Sequence, residues 1–460
     1  MTQTAAQNMP AGAEGDVNHS PRRKAWAERN LDDGAMDLLR RDADVFLHQS
    51  VSTPCLSVIR RAEGLWVEDN QGRRYMDFHG NNVHHIGYGH PRLISAVQRQ
   101  MEELPFAPRR YTCETAVALA EKLREITPGD LGKVLFATGG SDAVEIALRL
   151  ARIATGRFKT LSFWDAFHGA GFGASSVGGE EMFRGGPHGP LLPGAEHVPP
   201  FGDYRNAWGV TEGSGDLCAS QIRYVLEKEG DIGAVIAEPT RAVPYIPPAG
   251  FWQKVRKACN DAGALLIFDE IPTGLGKTGR MFSCEYEEVV PDIMVLGKSL
   301  GGGLLPISAV VCRPGLDVAG HYAIGHYTHE KNPVTARAAL TTIEIIEDED
   351  LVTNAARMGE IALERLHDMM DRHPLIGDIR GRGCLFGAEL VLDRDSREPA
   401  REAADTVLYR ALERGVSFKT TMGNVLTFTP PLIVTEGQMH EAMSIIEDCI
   451  AGVERDIGLA

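Results

Sequence analysis

The residues able to do chemistry in this chain sit where apolar runs stop. The run 264–268 is apolar throughout and is followed at once by Asp269 and Glu270. A second apolar run, 293–296, ends in Gly297, Lys298 and Ser299. Ligands of open parallel sheets bind at the carboxyl ends of the strands, so an acid and a lysine on two neighbouring ends can meet one ligand. A lysine drawn out of water loses proton affinity and becomes a nucleophile that forms an imine with an aldehyde. A third feature runs from Thr138 through Gly139, Gly140, Ser141 and Asp142 to Ala143, directly after the apolar run 134–136. A helical pattern follows, with Val144, Ala147, Leu148 and Ala151 on one face. Glycines let an anion approach the backbone, and a helix start offers unpaired N–H groups at its positive end. The same segment also fits a plain helix start capped by Ser141 or Asp142.

A lysine for an imine, an aspartate for a pyridine nitrogen and a helix end for a phosphate are together what pyridoxal phosphate needs. The alternative is a structural ion pair between Asp269 and Lys298. Two further strand ends fit the cofactor. Phe167, with His168 and Gly169 behind it, brings an aromatic face after the run 160–163, although a lone phenylalanine also fits the core. Glu238 and Pro239 close the run 234–237, where an acid also fits a simple turn.

Other glycine motifs fit their nominal chemistry poorly. Gly274, Gly276 and Gly279 spell a dinucleotide fingerprint, but Asp269 to Thr273 separate them from the strand and no amphipathic helix follows. A phosphate-binding P-loop needs glycine where Ile271 and Asp292 precede the two Gly-Lys pairs. His321, His326 and His329 cluster, as do His84, His85 and His90, without a recognised metal spacing. No metal is expected.

The elements that must position these groups follow from periodicity. Strand candidates at 134–136, 160–163, 234–237, 264–268, 293–296 and 307–311 take turns with helices such as 250–262. Such alternation means a largely parallel α/β sheet. Alternating residues on either side of Asn70, Gln71 and Gly72 predict a hairpin. Residues 1–45 are expected to form a tail and one short helix at 31–42. A long helix is predicted from 334 to beyond Leu351, and a strand at 384–390.

Composition sets the frame. The chain has 460 residues, and 47 Lys and Arg against 63 Asp and Glu leave a net charge of −16. That balance points away from a nucleic-acid partner, which needs a basic surface. The longest purely apolar runs, 264–268 among them, have five residues, far short of the roughly 20 that span a bilayer. No signal-peptide pattern opens the chain, and the eight cysteines form no CxxC pair. A reduced, cytoplasmic protein away from membranes is expected.

Taken together, these residues resemble the class III aminotransferases, which are fold-type I pyridoxal phosphate enzymes. The resemblance covers nearly the whole chain after about residue 46 and follows family order. It begins with Gly72, Asp77, Gly87, His90 and Pro91, then Gly140 to Ala143 with Glu145, then Phe167 to Gly169 and Glu238-Pro239. Asp269 to Gly274, Gly297-Lys298, Thr328 with Asn332-Pro333, Arg380 to Gly383 and Pro430 to Leu432 complete it. The resemblance implies a large cofactor-binding domain at 93–335 with a mostly parallel central sheet. A smaller α+β domain would take 336–460 and the N-terminal segment 46–92.

The resemblance also implies roles. Lys298 is the Schiff-base lysine, and Asp269 the partner of the pyridinium. Phe167 and Ile271 sandwich the ring beside His168, and Gly140 and Ser141 bind the phosphate with Thr328 of a second subunit. Glu238 occupies the place of an active-site glutamate, and the assembly is a homodimer with shared sites. Two positions depart from the pattern: Thr427 replaces an arginine that holds a substrate carboxylate, and Pro272 replaces a glutamine. Both point away from ordinary 2-oxoglutarate transamination.

Within the family, segments 14–21, 46–50, 269–274 and 326–332 are most similar to the ammonia-lyase branch acting on (R)-1-hydroxy-2-aminoethylphosphonate. The alternative is an aminotransferase passing an amino group from an ω-amino compound to pyruvate or another 2-oxo acid. A phosphonate dianion needs cations, and Arg109, Arg110, Arg241 and Lys331 are the candidates. Each of the four equally suits a solvated surface.

Overall fold

The computed structural model describes residues 20–49 and 52–459. Two helices, Pro21–Asn30 and Asp33–Val45, stand where one was expected at 31–42. Ser20 caps the first by accepting from the Arg22 and Arg23 amides, with Pro21 in the first turn. Leu31 is extended, and Asp32 then caps the second helix through the Ala35 amide at 2.7 Å. The expected tail falls on 1–19, outside the described residues.

Strands β1 (Ile59–Glu63), β2 (Trp66–Asp69) and β3 (Arg74–Asp77) form an antiparallel meander. Its second turn is the predicted one. Gly72 sits at φ 82°, and Asp69 Oδ1 accepts from the Gln71 and Arg73 amides at 3.0 and 2.9 Å.

The central sheet contains β4 (Lys133–Ala137), β5 (Lys159–Phe163), β6 (Ala195–Val198), β7 (Ile232–Ala237), β8 (Leu265–Asp269), β9 (Ile293–Leu296) and β10 (Ser308–Cys312). Its order is β4-β10-β9-β8-β7-β5-β6. Only β10 runs against the others, pairing antiparallel with β4 and β9. All six predicted strands are present. The unpredicted one, β6, is short, and its Glu196 and His197 hide the apolar signal. Helices 140–155, 214–229 and 251–262 link successive strands. Val144, Ala147, Leu148 and Ala151 pack beneath the sheet against Ile236, Ile267 and Val295, so the apolar stripe read from sequence is the core face.

A third sheet holds β11 (Ile376–Arg382), β12 (Leu385–Asp393) and β13 (Glu398–Pro399). The next strand, β14 (Val416–Ser417), leaves it and pairs in parallel with β3, Met76 opposite Val416. The chain then returns as β15 (Lys419–Thr421) and β16 (Val425–Phe428), and β16 lies against β12. Strand pairing thus ties residues 59–77 to the C-terminal region.

The long helix expected to pass Leu351 is two helices, Pro333–Asp348 and Leu351–Arg372. Asp348, Glu349 and Asp350 crowd negative charge at the carboxyl end of the first helix, where the dipole is already negative. Asp350 takes a left-handed φ of 50°, and its side chain accepts from Thr353 at 2.7 Å, which starts the second helix.

Candidate active site

Strands β7 and β9 are buried along their whole length and β8 from Leu266 onward, which is why their sequences read as apolar runs. Functional side chains must therefore leave at the strand ends. In the β8–β9 register Asp269 lies opposite Val295, which sets Asp269 and Lys298 on adjacent carboxyl ends.

A cavity of about 200 Å³ opens there. Its lining brings together Gly140, Ser141, Phe167, His168, Glu238, Asp269, Ile271 and Lys298, and every one of them was singled out in the sequence. Pro272 also lines it. A hollow of about 360 Å³ borders the cavity at Gly140 and Lys298 and includes Val83, Thr138 and Ser308. Thr138 opens the glycine segment read from the sequence, whereas Val83 and Ser308 were missed. Ser308 begins β10 opposite Ala137, and cross-strand partners of this kind leave no trace in sequence order.

Asp269 is 2% exposed and firmly held. Its Oδ2 lies 2.8 Å from His168 Nδ1, and its Oδ1 accepts the Ile271 amide at 3.1 Å. A carboxylate accepts only, so His168 carries its proton on Nδ1 in this contact. His168 Nε2 is buried without a hydrogen-bond partner among the described residues. The neighbouring acid, Glu270, is a different case. Burial pushes its carboxyl up to about 7, partly opposed by hydrogen bonds from the Thr273 hydroxyl and the Cys284 amide. Glu270 turns away from the cavity and fastens the loop after β8.

Lys298 leaves β9 through a bend. Gly297 is extended, and a Cβ there would come 2.7 Å from Ser308 Oγ. Lys298 itself has φ 45°, a left-handed conformation uncommon outside glycine. The bend turns the side chain out of the strand and into the cavity wall. No ion pair joins Lys298 to Asp269, so the structural alternative for these residues falls away.

The glycine segment is a helix start without a side-chain cap. Gly139 is the N-cap of helix 140–155 and caps nothing through a side chain. Ser141 Oγ instead accepts the Ala170 amide at 3.0 Å, and Asp142 accepts from Thr138 Oγ1 at 2.6 Å. The expectation of a helix capped by Ser141 or Asp142 is corrected: both side chains are engaged elsewhere, which leaves the positive helix end to the cavity.

Glu238 is buried and accepts the Ala242 amide at 2.9 Å. Arg241 is 3% exposed; it donates to the Asp165 carbonyl and lies 5.2 Å from the Tyr245 ring centroid. It therefore ties the loop after β7 to the one that carries Phe167, and it does not line the cavity. Arg109, Arg110, Thr328 and Lys331 are exposed and lie outside the cavity. The Arg109 guanidinium sits 2.6 Å from a ring nitrogen of His326. Thr427 is fully buried, its hydroxyl 2.7 Å from that of Thr421.

A lysine, a tethered aspartate and an uncapped helix start in one cavity at the carboxyl edge of a parallel sheet define an enzyme built around an aldehyde cofactor. The comparisons with known proteins then place it. The family described as aminotransferase class-III matches residues 48–450, and the chain belongs to that family. It is 46% identical, over 96% of each chain, to the (R)-1-hydroxy-2-aminoethylphosphonate ammonia-lyase of Vibrio splendidus. An alanine/serine racemase of Pyrococcus horikoshii is 33% identical over 90% of each chain. Among solved structures, the omega transaminase of Pseudomonas jessenii in complex with PMP superposes with a TM-score of 0.87 at 30% identity, covering 92% of this chain and 99% of that one.

Membership makes the protein a pyridoxal 5′-phosphate enzyme of fold type I that acts on a small-molecule amine. The residues present fit that group. Besides the uncapped helix start and the tethered aspartate, a Cβ at Gly140 would fill the cradle, 2.9 Å from Ile271 Cδ1. Among the described residues no helix is long and apolar enough to cross a membrane.

Proposed function

We propose that this chain is an ammonia-lyase converting (R)-1-hydroxy-2-aminoethylphosphonate into phosphonoacetaldehyde and ammonia, and that it works as a cytoplasmic homodimer. The observation that carries the proposal is the 46% identity held over 96% of both chains to an enzyme of that name. Thr427, buried and paired with Thr421, agrees with it, because a cation at that position would favour a 2-oxo acid carboxylate.

Bound pyridoxal phosphate would supply an aldehyde for the substrate amine and a ring that draws electrons from the neighbouring carbon. The chain supplies the rest. Lys298 Nζ takes the proton from C2 of the substrate and delivers a proton to the departing C1 hydroxyl. Asp269, braced by His168 and the Ile271 amide, keeps the ring nitrogen positive. Phe167 and Ile271, which both line the cavity, would hold the ring, and the first-turn amides of Gly140 and Ser141 would receive the phosphate. The enamine that leaves is split by water into aldehyde and ammonia.

Thr328 is exposed and outside the cavity of its own chain, and a second copy delivering it to the phosphate accounts for that position. All eight cysteines are free thiols, which suits a reducing compartment.

The test is ammonia release from the purified enzyme with no 2-oxo acid added. Steady turnover under those conditions supports the lyase. A strict requirement for pyruvate or 2-oxoglutarate would move the assignment to an aminotransferase for ω-amino compounds.

A further inference from the structure

Strand β10 runs against its neighbours, so its first residue, and not its last, lies at the carboxyl edge where the cavity opens. That residue is Ser308. β10 lies between β4 and β9, and Ser308 therefore stands between the two functional ends of the sheet. On one side it is opposite Ala137, shortly before the helix cap Gly139. On the other it adjoins Gly297, where a Cβ would come 2.7 Å from Ser308 Oγ.

The direction of the side chain follows from the pleat, which sends successive residues to opposite faces. Ala309 packs into the core on one face. Val310 packs on the other, in the core that holds Val144 and Ala147 of helix 140–155. Ser308 shares the Val310 face and points toward that helix, level with its first turn. Ile271 marks the same spot. A Cβ at Gly140 would come 2.9 Å from its side chain, and one at Gly297 3.4 Å.

Ser308 is 1% exposed, and its hydroxyl has no hydrogen-bond partner among the described residues. Burying a hydroxyl without a partner carries a free-energy cost that alanine would avoid. Ser308 nevertheless lines the hollow of about 360 Å³ together with Thr138, Gly139, Gly140 and Lys298. Thr138 gives its hydroxyl proton to Asp142 at 2.6 Å. Among the described residues, Ser308 and Lys298 are thus the uncommitted polar side chains of that hollow. The lysine is reserved for the cofactor aldehyde. The serine faces the uncapped helix start, where a phosphate brings three strong acceptor oxygens. Two first-turn amides cannot satisfy all of them, and a hydroxyl donor on the neighbouring strand is complementary to the remainder.

We infer that Ser308 is a further cofactor-binding residue, whose hydroxyl donates a hydrogen bond to the phosphate of pyridoxal phosphate beside the start of helix 140–155. The inference rests on the reading that this helix start receives the phosphate. It is independent of the reaction that the enzyme catalyses.

The test uses the full-length enzyme, stripped of cofactor, as the parent, S308A and S308T. Each is titrated with pyridoxal 5′-phosphate and, separately, with pyridoxal, which lacks the phosphate, and binding is followed by quenching of intrinsic fluorescence. Loss of a hydrogen bond to a charged group lowers affinity about tenfold or more. Expected are a parent that prefers the phosphorylated aldehyde, and an S308A that binds it about tenfold more weakly while binding pyridoxal as the parent does. S308T keeps the hydroxyl and should bind both near parental affinity. Cofactor-free S308A should unfold at the parental urea midpoint, because its hydroxyl has no partner in the chain to lose. Equal weakening of both aldehydes in S308A would assign the hydroxyl to Lys298 or the ring and overturns the inference, as does a cofactor-free S308A less stable than the parent. A parent that prefers the phosphorylated aldehyde, with S308A unchanged, overturns Ser308 alone. A parent that binds both aldehydes alike overturns the helix-start reading, and Ser308 with it. No substrate is present, so the lyase reading stands or falls separately.

Discussion

Lys277 and Lys298 each follow a glycine and precede a hydroxyl residue, yet the fold sends them to different surroundings. Lys298 leaves a buried strand through a left-handed bend and borders a cavity. Lys277 lies in a glycine-rich loop, is fully buried and donates to the Pro430 carbonyl. Burial lowers its ammonium to about 8, so its proton affinity is weakened. A depressed pKa therefore does not make a lysine catalytic; access to a ligand does. Lys277 ties the loop after β8 to the chain after β16, and Gly276 beside it is crowded, with a Cβ there only 2.8 Å from Leu432.

Substitution breaks this comparison most sharply at Lys298. K298A should lose at least about a thousandfold in ammonia release, as expected when an essential base goes, and should lose the borohydride-reducible chromophore. D269N should keep the fold and lose about a hundredfold in kcat, read by steady-state kinetics. K277M should show the opposite pattern. It leaves two buried carbonyls, those of Thr429 and Pro430, without their donor. A loss of about 2 kcal/mol in denaturant unfolding is expected, with kcat within tenfold of the parent.

The pH dependence of that stability sharpens the comparison further. Lys277 titrates at about 8 when folded against an ordinary 10.5, so between those values the unfolded chain binds more protons. Stability contributed by this site therefore rises with pH across the window, and below about 8 the full cost of the buried charge is present. The gap between parent and K277M should widen by up to about 3 kcal/mol from pH 8 to 10.5, measured as paired unfolding curves. The smallest effect is expected for the glycines. G140A presses on a side chain that can yield, Ile271, and should weaken cofactor affinity a few-fold. G274A presses on the Glu270 carbonyl at 2.9 Å and should lower stability instead.

Much of this arrangement was legible before the structure. Strand ends advertise themselves when an apolar run stops at an acid or a lysine, so Asp269, Glu238 and Lys298 could be found by eye. The mostly parallel sheet followed from alternation alone. What could not be read was pairing between distant segments. Ser308 reaches the site by lying opposite Ala137, and His79 is held by residues more than three hundred positions away. The broken helix at Asp350 and the N-terminal helix Pro21–Asn30 were missed for a local reason. Caps and left-handed single residues interrupt a periodic pattern without disturbing it. The four candidate cations were chosen by type, and residue type says nothing of direction.

The pairing of β3 with β14 joins residues 340 positions apart, Met76 with Val416. During synthesis the N-terminal meander emerges early and must wait, one edge bare, until nearly the whole polypeptide has left the ribosome. Completion of the N-terminal sheet is thus a late event. A chain cut short before 416 would retain a seven-stranded sheet but expose a sticky edge, which makes premature termination a route to aggregation and not to a weakened enzyme.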